Sequence, residues 1–221
     1  MTDNEILCLV DHTLLKATAS WEEIKILCDE ALRYKTASVC VPPPYVRRIV
    51  TEYGNDLVVC TVIGFPLGYS CDAVKFKELQ CALSDGASEI DMVINICDVK
   101  NGDFDVVQEE IQNMKKACGK RILKVIVETC YLTQEEKIRL CRIVTEAGAD
   151  FIKTSTGFGT AGATLADMEL FKQHIGQGVK IKAAGGIKTR EDLEAFIKAG
   201  AARIGTSSAV KILSGTAAAG Y

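Results

Sequence analysis

Eight short runs rich in β-branched residues divide this 221-residue chain, and helical segments lie between most of them. Two of the helices have capping boxes at their start, at Ser20 with Glu23 and at Thr133 with Glu136. Regular alternation of strands and helices is typical of a parallel sheet whose strands are joined by crossover helices. The eight candidate strands are residues 7–11, 37–41, 57–63, 88–94, 122–127, 150–154, 180–183 and 202–205.

The number of these strand and helix units indicates how the sheet is closed. Eight units within 221 residues match the size at which parallel strands form a (β/α)8 barrel inside a ring of helices. We therefore predict an α/β fold with a single TIM-barrel domain over residues 1–221 and a short N-terminal segment. A doubly wound open sheet is the alternative fold.

Charged side chains alternate with apolar ones along several candidate strands. In the fourth run, for example, apolar side chains lie at positions 90, 92 and 94. Successive strand side chains point to opposite faces, and the outer face of a barrel is covered by helices and must be apolar. The charged side chains are therefore predicted to point into the barrel and to pair with one another there. They are Asp91, Lys124, Glu128, Lys153 and Lys182.

The overall composition bounds the class of partner. A net charge of −3 and a pI near 5.6 argue against a nucleic-acid or membrane surface and favour small-molecule chemistry. The chain starts without a signal-peptide pattern and has no apolar run of membrane-spanning length, so we expect a cytoplasmic protein. Its ten cysteines are scattered without ligand spacing, and we expect them to be buried, reduced thiols. Only His12 and His174 are present, so no metal centre is expected.

Three of the interior charges are predicted to form a reactive site. Asp91, Lys153 and Lys182 lie near the carboxyl ends of their strands, where TIM barrels carry their active sites. A lysine amine is nucleophilic only when neutral, and a second cation nearby lowers its pKa. Lys182 would lower the pKa of Lys153, and Asp91 would relay a proton. Taken singly, each strand lysine could instead face solvent or form a structural ion pair.

Two glycine-containing loops are candidate anion sites. Gly185 and Gly186 follow the seventh candidate strand, and Gly205 with two serines follows the eighth. Backbone N–H groups brought close by glycine, together with serine hydroxyls, suit a phosphate group. The alternative is that these glycines serve only tight turns.

Five segments, in order along nearly the whole chain, resemble the deoxyribose-phosphate aldolase family. They are DHTLL at 11–15, SVCVP at 38–42, EIDMVIN at 89–95, KTSTGF at 153–158 and KAAGGI at 182–187. The resemblance implies reversible cleavage of 2-deoxy-D-ribose 5-phosphate to acetaldehyde and D-glyceraldehyde 3-phosphate, in deoxynucleoside catabolism. It also implies that no cofactor and no metal are needed, and that the chain forms a homodimer or a homotetramer.

The resemblance assigns roles to individual residues. Lys153 would form the Schiff base, Lys182 would modulate its pKa, and Asp91 would be the proton relay. Asp11 and Thr13 would line the pocket near Lys182. The phosphate would be held by Gly157, Gly185, Gly186, Ser207 and Ser208.

Three further positions carry open expectations. Phe158 stands where some relatives have a basic residue, so a weaker grip on phosphate is expected. The terminal Tyr221 would reach over the pocket and assist proton transfer, unless it is a chain end without a function. Cys40 would lie near the pocket, either as a thiol that reacts with aldehydes or as part of the core.

Two other functions remain open at this point. A transaldolase-like enzyme would share the lysine chemistry and differ in its carbonyl donor. Residues 157–162 (GFGTAG) fit the G-x-G-x-x-G pattern of a dinucleotide-binding module. No acidic residue lies at the end of the next strand, where a ribose-binding carboxylate is expected, so this second alternative is disfavoured.

Overall fold

The sheet closes into a barrel in the computed structural model, which describes residues 1–213. Eight parallel strands are hydrogen-bonded in chain order, and the eighth pairs with the first. The predicted (β/α)8 barrel is therefore confirmed, and the open sheet is wrong. The strands are Val10–Thr13 (β1), Ser38–Val41 (β2), Val59–Ile63 (β3), Glu89–Val93 (β4), Ile122–Ile126 (β5), Phe151–Lys153 (β6), Lys180–Ala184 (β7) and Ala201–Thr206 (β8).

Helices connect the strands. Both predicted capping boxes are present, at Ser20 and at Thr133. The helices are Asp3–Leu7 (α1), Trp21–Tyr34 (α2), Val46–Tyr53 (α3), Asp72–Ser84 (α4), Ile96–Asn101 (α5), Phe104–Cys118 (α6), Gln134–Glu146 (α7), Leu165–His174 (α8), Arg190–Lys198 (α9) and Ala209–Leu213 (α10), with 3-10 turns at Pro43–Tyr45 and Thr129–Tyr131.

The first candidate strand is placed wrongly by the sequence pattern. Residue 7 ends helix α1, and β1 begins only at Val10. The Thr2 side chain accepts a hydrogen bond from the Glu5 backbone N–H, and the Glu5 carboxylate accepts one from the Thr2 N–H. This capping box starts a short helix, so local capping prevails over the β-branched pattern at this end.

The two faces of the sheet differ as predicted. Ile90, Met92, Leu123 and Ile152 are fully buried and belong to the apolar core that includes residues from the surrounding helices. The charged side chains of the same strands point to the barrel axis and are also buried. The barrel interior therefore carries ionic groups inside an apolar layer, and the active sites of this fold lie at the C-terminal ends of its strands.

Two broader expectations are settled by the structure. All ten cysteines are free thiols, but only Cys28, Cys40, Cys60, Cys118 and Cys141 are buried, so the expectation of burial is wrong for the other five. Within residues 1–213, no helix combines the length and the apolar character needed to cross a bilayer.

Candidate active site

Asp91 lies at the centre of an ion-pair cluster inside the barrel. Its Oδ2 atom is 2.7 Å from Nζ of Lys153 and 2.7 Å from Nζ of Lys182, while its Oδ1 atom is 2.9 Å from Nζ of Lys124. Strand register produces this arrangement, because Asp91 pairs with Lys124 between β4 and β5, and Lys153 pairs with Lys182 between β6 and β7. The predicted meeting of these four residues is confirmed.

Further partners extend the cluster along the barrel axis. Oδ2 of Asp11 lies 2.5 Å from Nζ of Lys182, and Lys124 Nζ lies 2.6 Å from Oε2 of Glu89. The Arg203 guanidinium contacts Asp11 and lies 2.9 Å from Oε1 of Glu89. Sequence reasoning missed Glu89 and Arg203 as members. We call these seven connected residues the interior cluster: Asp11, Glu89, Asp91, Lys124, Lys153, Lys182 and Arg203.

Charge within the interior cluster is unequal, with four cations and three carboxylates. Burial alone would raise the pKa of Asp91, but Lys124, Lys153 and Lys182 hold that pKa well below its usual range. Burial would lower the pKa of Lys182, but Asp11 and Asp91 raise it above its usual value. Lys182 is therefore a permanent cation at neutral pH. Among residues 1–213, Lys153 has an ion pair with Asp91 alone.

A cavity of about 300 Å³ opens beside the interior cluster. Lys153 is the one member of the cluster that lines it, so its amine is the group that a bound molecule meets. Thr13 lines the cavity as expected. Asp11 does not, which corrects the expectation for that residue: its side chain is fully buried and contacts Lys182 within the barrel.

The expected phosphate residues all lie around this cavity. Three of them are glycines with a positive φ, which is +87° at Gly157, +80° at Gly185 and +75° at Gly186, so a side chain at these positions would strain the backbone. Ser207 and Ser208 line the cavity at the end of β8. Sequence reasoning missed Lys188, an exposed lysine that also lines the cavity in the loop after β7.

The loop between β6 and α8 packs tightly on the loop after β7. The Ala163 backbone N–H donates to the carbonyl oxygens of Ala184 and Gly185, at 3.0 and 3.2 Å. A Cβ atom on Gly162 would lie 2.2 Å from the Gly185 carbonyl oxygen, so glycine is required for this contact. The glycine spacing that fits a dinucleotide motif thus serves the packing of two barrel loops.

Phe158 forms an apolar part of the cavity wall. Its ring packs edge-on against Phe65, with 5.3 Å between the ring centroids, and about half of the side chain stays exposed. At this position the cavity wall therefore carries an aromatic ring and no charge. Tyr221, the expected proton-transfer residue, lies outside the described residues.

Comparison with known proteins shows the family of this chain. Residues 6–218 match the model of the DeoC/LacD family aldolases. The chain belongs to this family. It is 60% identical to a deoxyribose-phosphate aldolase of Clostridium botulinum over 100% of both chains. It is 59% identical to one of Clostridioides difficile over 94% of this chain and 95% of that one. A tetrameric deoxyribose phosphate aldolase of Aeropyrum pernix superimposes with a TM-score of 0.90 at 32% identity, covering 96% of this chain and 91% of that chain.

Membership of the DeoC/LacD aldolases excludes the dinucleotide-binding alternative. The open doubly wound sheet that such a module requires is absent, because all eight strands of the described chain form one closed barrel. The resemblance found in the sequence motifs is confirmed along the chain.

One group of side chains in this aldolase has the composition of a metal site. Donor atoms of Cys40, Cys60 and Asp91 lie within 4.8 Å of one another. However, Lys124 Nζ lies 3.2 Å from the Cys60 sulfur, and three ammonium groups contact the Asp91 carboxylate. A divalent cation here would be repelled by these lysines, so the donor set fits a metal poorly. Cys40 itself is buried beside Leu15, which lines the cavity.

Glu128 does not join the interior cluster, contrary to prediction. It lies two residues past the end of β5, at a φ of +54°, where the alternation of a strand no longer applies. Its carboxyl group accepts hydrogen bonds from the backbone N–H and the hydroxyl of Thr156. Burial raises the pKa of Glu128 above its usual value. The side chain therefore supports the loop after β6.

Proposed function

We propose that this chain is a class I aldolase that reversibly cleaves 2-deoxy-D-ribose 5-phosphate to acetaldehyde and D-glyceraldehyde 3-phosphate, with Lys153 as the Schiff-base residue. The observation that carries the assignment to Lys153 is its position. It is the one residue of the interior cluster that lines the cavity. The names of the relatives in Clostridium botulinum and Clostridioides difficile support the choice of substrate.

The interior cluster holds its two reactive-site lysines unequally. Four cations face three carboxylates in the cluster. Lys182 contacts two of the carboxylates, whereas Lys153 contacts one. The role proposed for Lys182 is that of a fixed cation beside the reacting amine of Lys153.

The proposed reaction begins when the Lys153 amine attacks the C1 aldehyde and loss of water gives an iminium ion. A base takes the proton of the C3 hydroxyl, the C2–C3 bond breaks, and its electron pair moves into the iminium to form an enamine. The three-carbon fragment, carbons C3 to C5 of the sugar, leaves as D-glyceraldehyde 3-phosphate. Protonation of the enamine at C2 and hydrolysis then release acetaldehyde and restore the amine. Because the iminium accepts the electron pair, neither a metal nor a cofactor is required.

Asp91 is proposed to be the proton relay for the Lys153 amine. Its Oδ2 atom is within hydrogen-bond distance of both amines, so a proton released by Lys153 reaches this oxygen first. The carboxylate does not line the cavity, so transfer to the substrate would pass through Lys153 or through water.

The phosphate group is proposed to lie at the glycine-containing end of the cavity. Gly185 and Gly186 line this end with successive positive φ values, a backbone form suited to binding an anion through N–H groups, and Lys188 supplies a charge that Phe158 does not. The remaining proposed contacts are Gly157, Ser207, Ser208 and Thr13.

Assembly and location are proposed from the same relatives and from the cysteines. We expect a homodimer or a homotetramer, since the Aeropyrum pernix relative is described as tetrameric. Ten free thiols suit the reducing cytoplasm, where phosphorylated sugars are also retained. Light scattering after gel filtration would measure the assembly.

The decisive test is to trap the iminium. The protein is incubated with 2-deoxyribose 5-phosphate, reduced with borohydride and digested, and the modified peptide is located by mass spectrometry. An adduct on Lys153 that is missing from Lys153→Met is expected. An adduct on Lys182 would reverse the two lysine roles, and the absence of both an adduct and released acetaldehyde would refute the aldolase assignment. The same assay with ketose donors separates a transaldolase-like activity.

A further inference from the structure

Glu128 holds an unusual backbone conformation directly after β5. Its φ and ψ are +54° and +68°, and within residues 1–213 the one other non-glycine residue with a positive φ is Lys35, which ends helix α2. The Glu128 side chain is 2% exposed. A left-handed backbone at a residue with a side chain costs on the order of 1–2 kcal/mol, so the surroundings must favour this placement.

What the conformation achieves is a contact with one residue of the next loop. The Thr156 backbone N–H donates to Oε1 and Oε2 of Glu128, at 3.2 and 3.3 Å, and the Thr156 hydroxyl donates to Oε2. No basic side chain within residues 1–213 forms an ion pair with this carboxyl group. Burying a carboxyl group costs free energy unless the group is hydrogen-bonded, so the hydrogen bonds from Thr156 offset the cost of burying Glu128.

The contact fixes the wall of the cavity from one side. Thr156, Gly157 and Phe158 line the cavity, and the Phe158 N–H donates to the Thr156 hydroxyl at 3.0 Å. The other end of the same loop is held to β7 by the Ala163 N–H. Glu128, two residues past the end of β5, and the Ala163 backbone thus hold the loop from its two sides.

We propose that Glu128 is a positioning residue that sets the phosphate-binding wall of the cavity through Thr156. The proposal rests on the function proposed above. Lys153 is held separately by its strand pairing and by its ion pair with Asp91, so its amine keeps its position when the Glu128 contact is lost. Loss of the Glu128 contact weakens binding of the phosphate end of the substrate and leaves imine formation intact.

The structure offers a matched control in Glu110. It is a second buried carboxyl group whose pKa is raised by burial, but it pairs with Lys75 on the outside of the barrel and does not line the cavity. Glu128→Gln and Glu110→Gln make the same chemical change, one beside the cavity wall and one away from it. Any general loss of stability should appear in both variants.

The experiment compares wild type, Glu128→Gln, Glu110→Gln, Thr156→Val and the Glu128→Gln/Thr156→Val pair. Steady-state kinetics are measured with 2-deoxyribose 5-phosphate and with unphosphorylated 2-deoxyribose, and imine trapping with acetaldehyde reports on Lys153. Glu128→Gln should raise KM for the phosphorylated sugar about tenfold, because the amide has one acceptor oxygen where the carboxyl group uses two to bind Thr156. Its KM for 2-deoxyribose and its trapping should stay within about twofold of wild type. Thermal unfolding shows that each variant is folded.

Glu110→Gln should leave the ratio of the two KM values at that of wild type. The double variant should be no worse than Thr156→Val, because Glu128 acts through that residue. An unchanged KM in an active Glu128→Gln variant, an equal loss on both sugars, or effects that multiply in the double variant would each overturn the proposal. If wild type itself neither cleaves the substrate nor traps acetaldehyde, the proposed function fails instead.

Discussion

Lys153 forms one ion pair within residues 1–213, in which its Nζ atom lies 2.7 Å from Oδ2 of Asp91. The same oxygen contacts Lys182, which is also held by Asp11. Removal of Lys153 therefore breaks one ion pair, and removal of Lys182 breaks two.

Lys153→Met and Lys182→Met should have unequal effects on the free energy of unfolding. Removing Lys153 leaves three cations for three carboxylates, so unfolding free energy should stay within about 1 kcal/mol of wild type or rise. Removing Lys182 takes a partner from both Asp11 and Asp91 and should cost about 3–5 kcal/mol. Urea unfolding measures both values. A larger loss in Lys153→Met than in Lys182→Met would contradict the charge count.

Stability should depend on pH through the same carboxylates. The pKa of Asp11 is held low because Lys124, Lys182 and Arg203 outweigh the effect of burial. A lowered folded-state pKa stabilises the fold above the unfolded value near 3.9, and this contribution is lost as the pH falls through the folded value. The unfolding free energy should therefore decline steadily below about pH 4.

The alkaline side should behave in the opposite sense. The raised pKa of Lys182 gives stability that is fully present below its unfolded value near 10.4 and is lost as the pH rises through the higher folded value. Denaturant unfolding from pH 3 to pH 11 would show both limbs. Asp11→Asn should flatten the acid limb while lowering the plateau, and an unchanged acid limb in that variant would refute the assignment.

Lys188→Gln should weaken binding of the phosphorylated substrate alone. Lys188 is exposed at the cavity, so its interaction with a phosphate dianion is screened by solvent and salt. We expect KM for 2-deoxyribose 5-phosphate to rise about three- to tenfold at low salt and less at high salt. Kinetics at two ionic strengths provide the measurement. Equal effects on phosphorylated and unphosphorylated sugar would exclude a phosphate contact.

Phe158→Lys should strengthen binding of the substrate phosphate group. The new ammonium group would replace an aromatic wall of the cavity, so KM for the phosphorylated sugar should fall about three- to tenfold relative to wild type. Phe158→Leu removes the edge-on contact with Phe65 without adding charge and serves as the control. If both variants shift KM equally, the effect comes from lost packing.

Much of the barrel and its charged interior could be predicted from strand alternation alone. Asp91, Lys124, Lys153 and Lys182 lie within regular strands, so a period of two places them on one face. Alternation also could have added Glu89, which lies two residues before Asp91 on the same strand.

The remaining features depend on contacts that no local pattern contains. Glu128 follows the end of β5 with a left-handed backbone, so its side chain leaves the predicted direction. The pairing of β7 with β8 shifts register at Ile181 and Lys182, which obscures the direction of Arg203. Residue 7 belongs to helix α1 because the capping box of Thr2 and Glu5 starts a helix in this segment. In each case a local irregularity replaces the ideal period.

The shared oxygen atoms of the interior cluster have a consequence for redesign of this enzyme. Asp91 serves three lysines and Asp11 serves two lysines and one arginine, so any single exchange alters the surroundings of several side chains at once. New substrate preferences are better sought in the cavity loops that carry Phe158 and Lys188. Those positions form no ion pair with the cluster, and a library confined to them leaves the ionic interior of the barrel untouched.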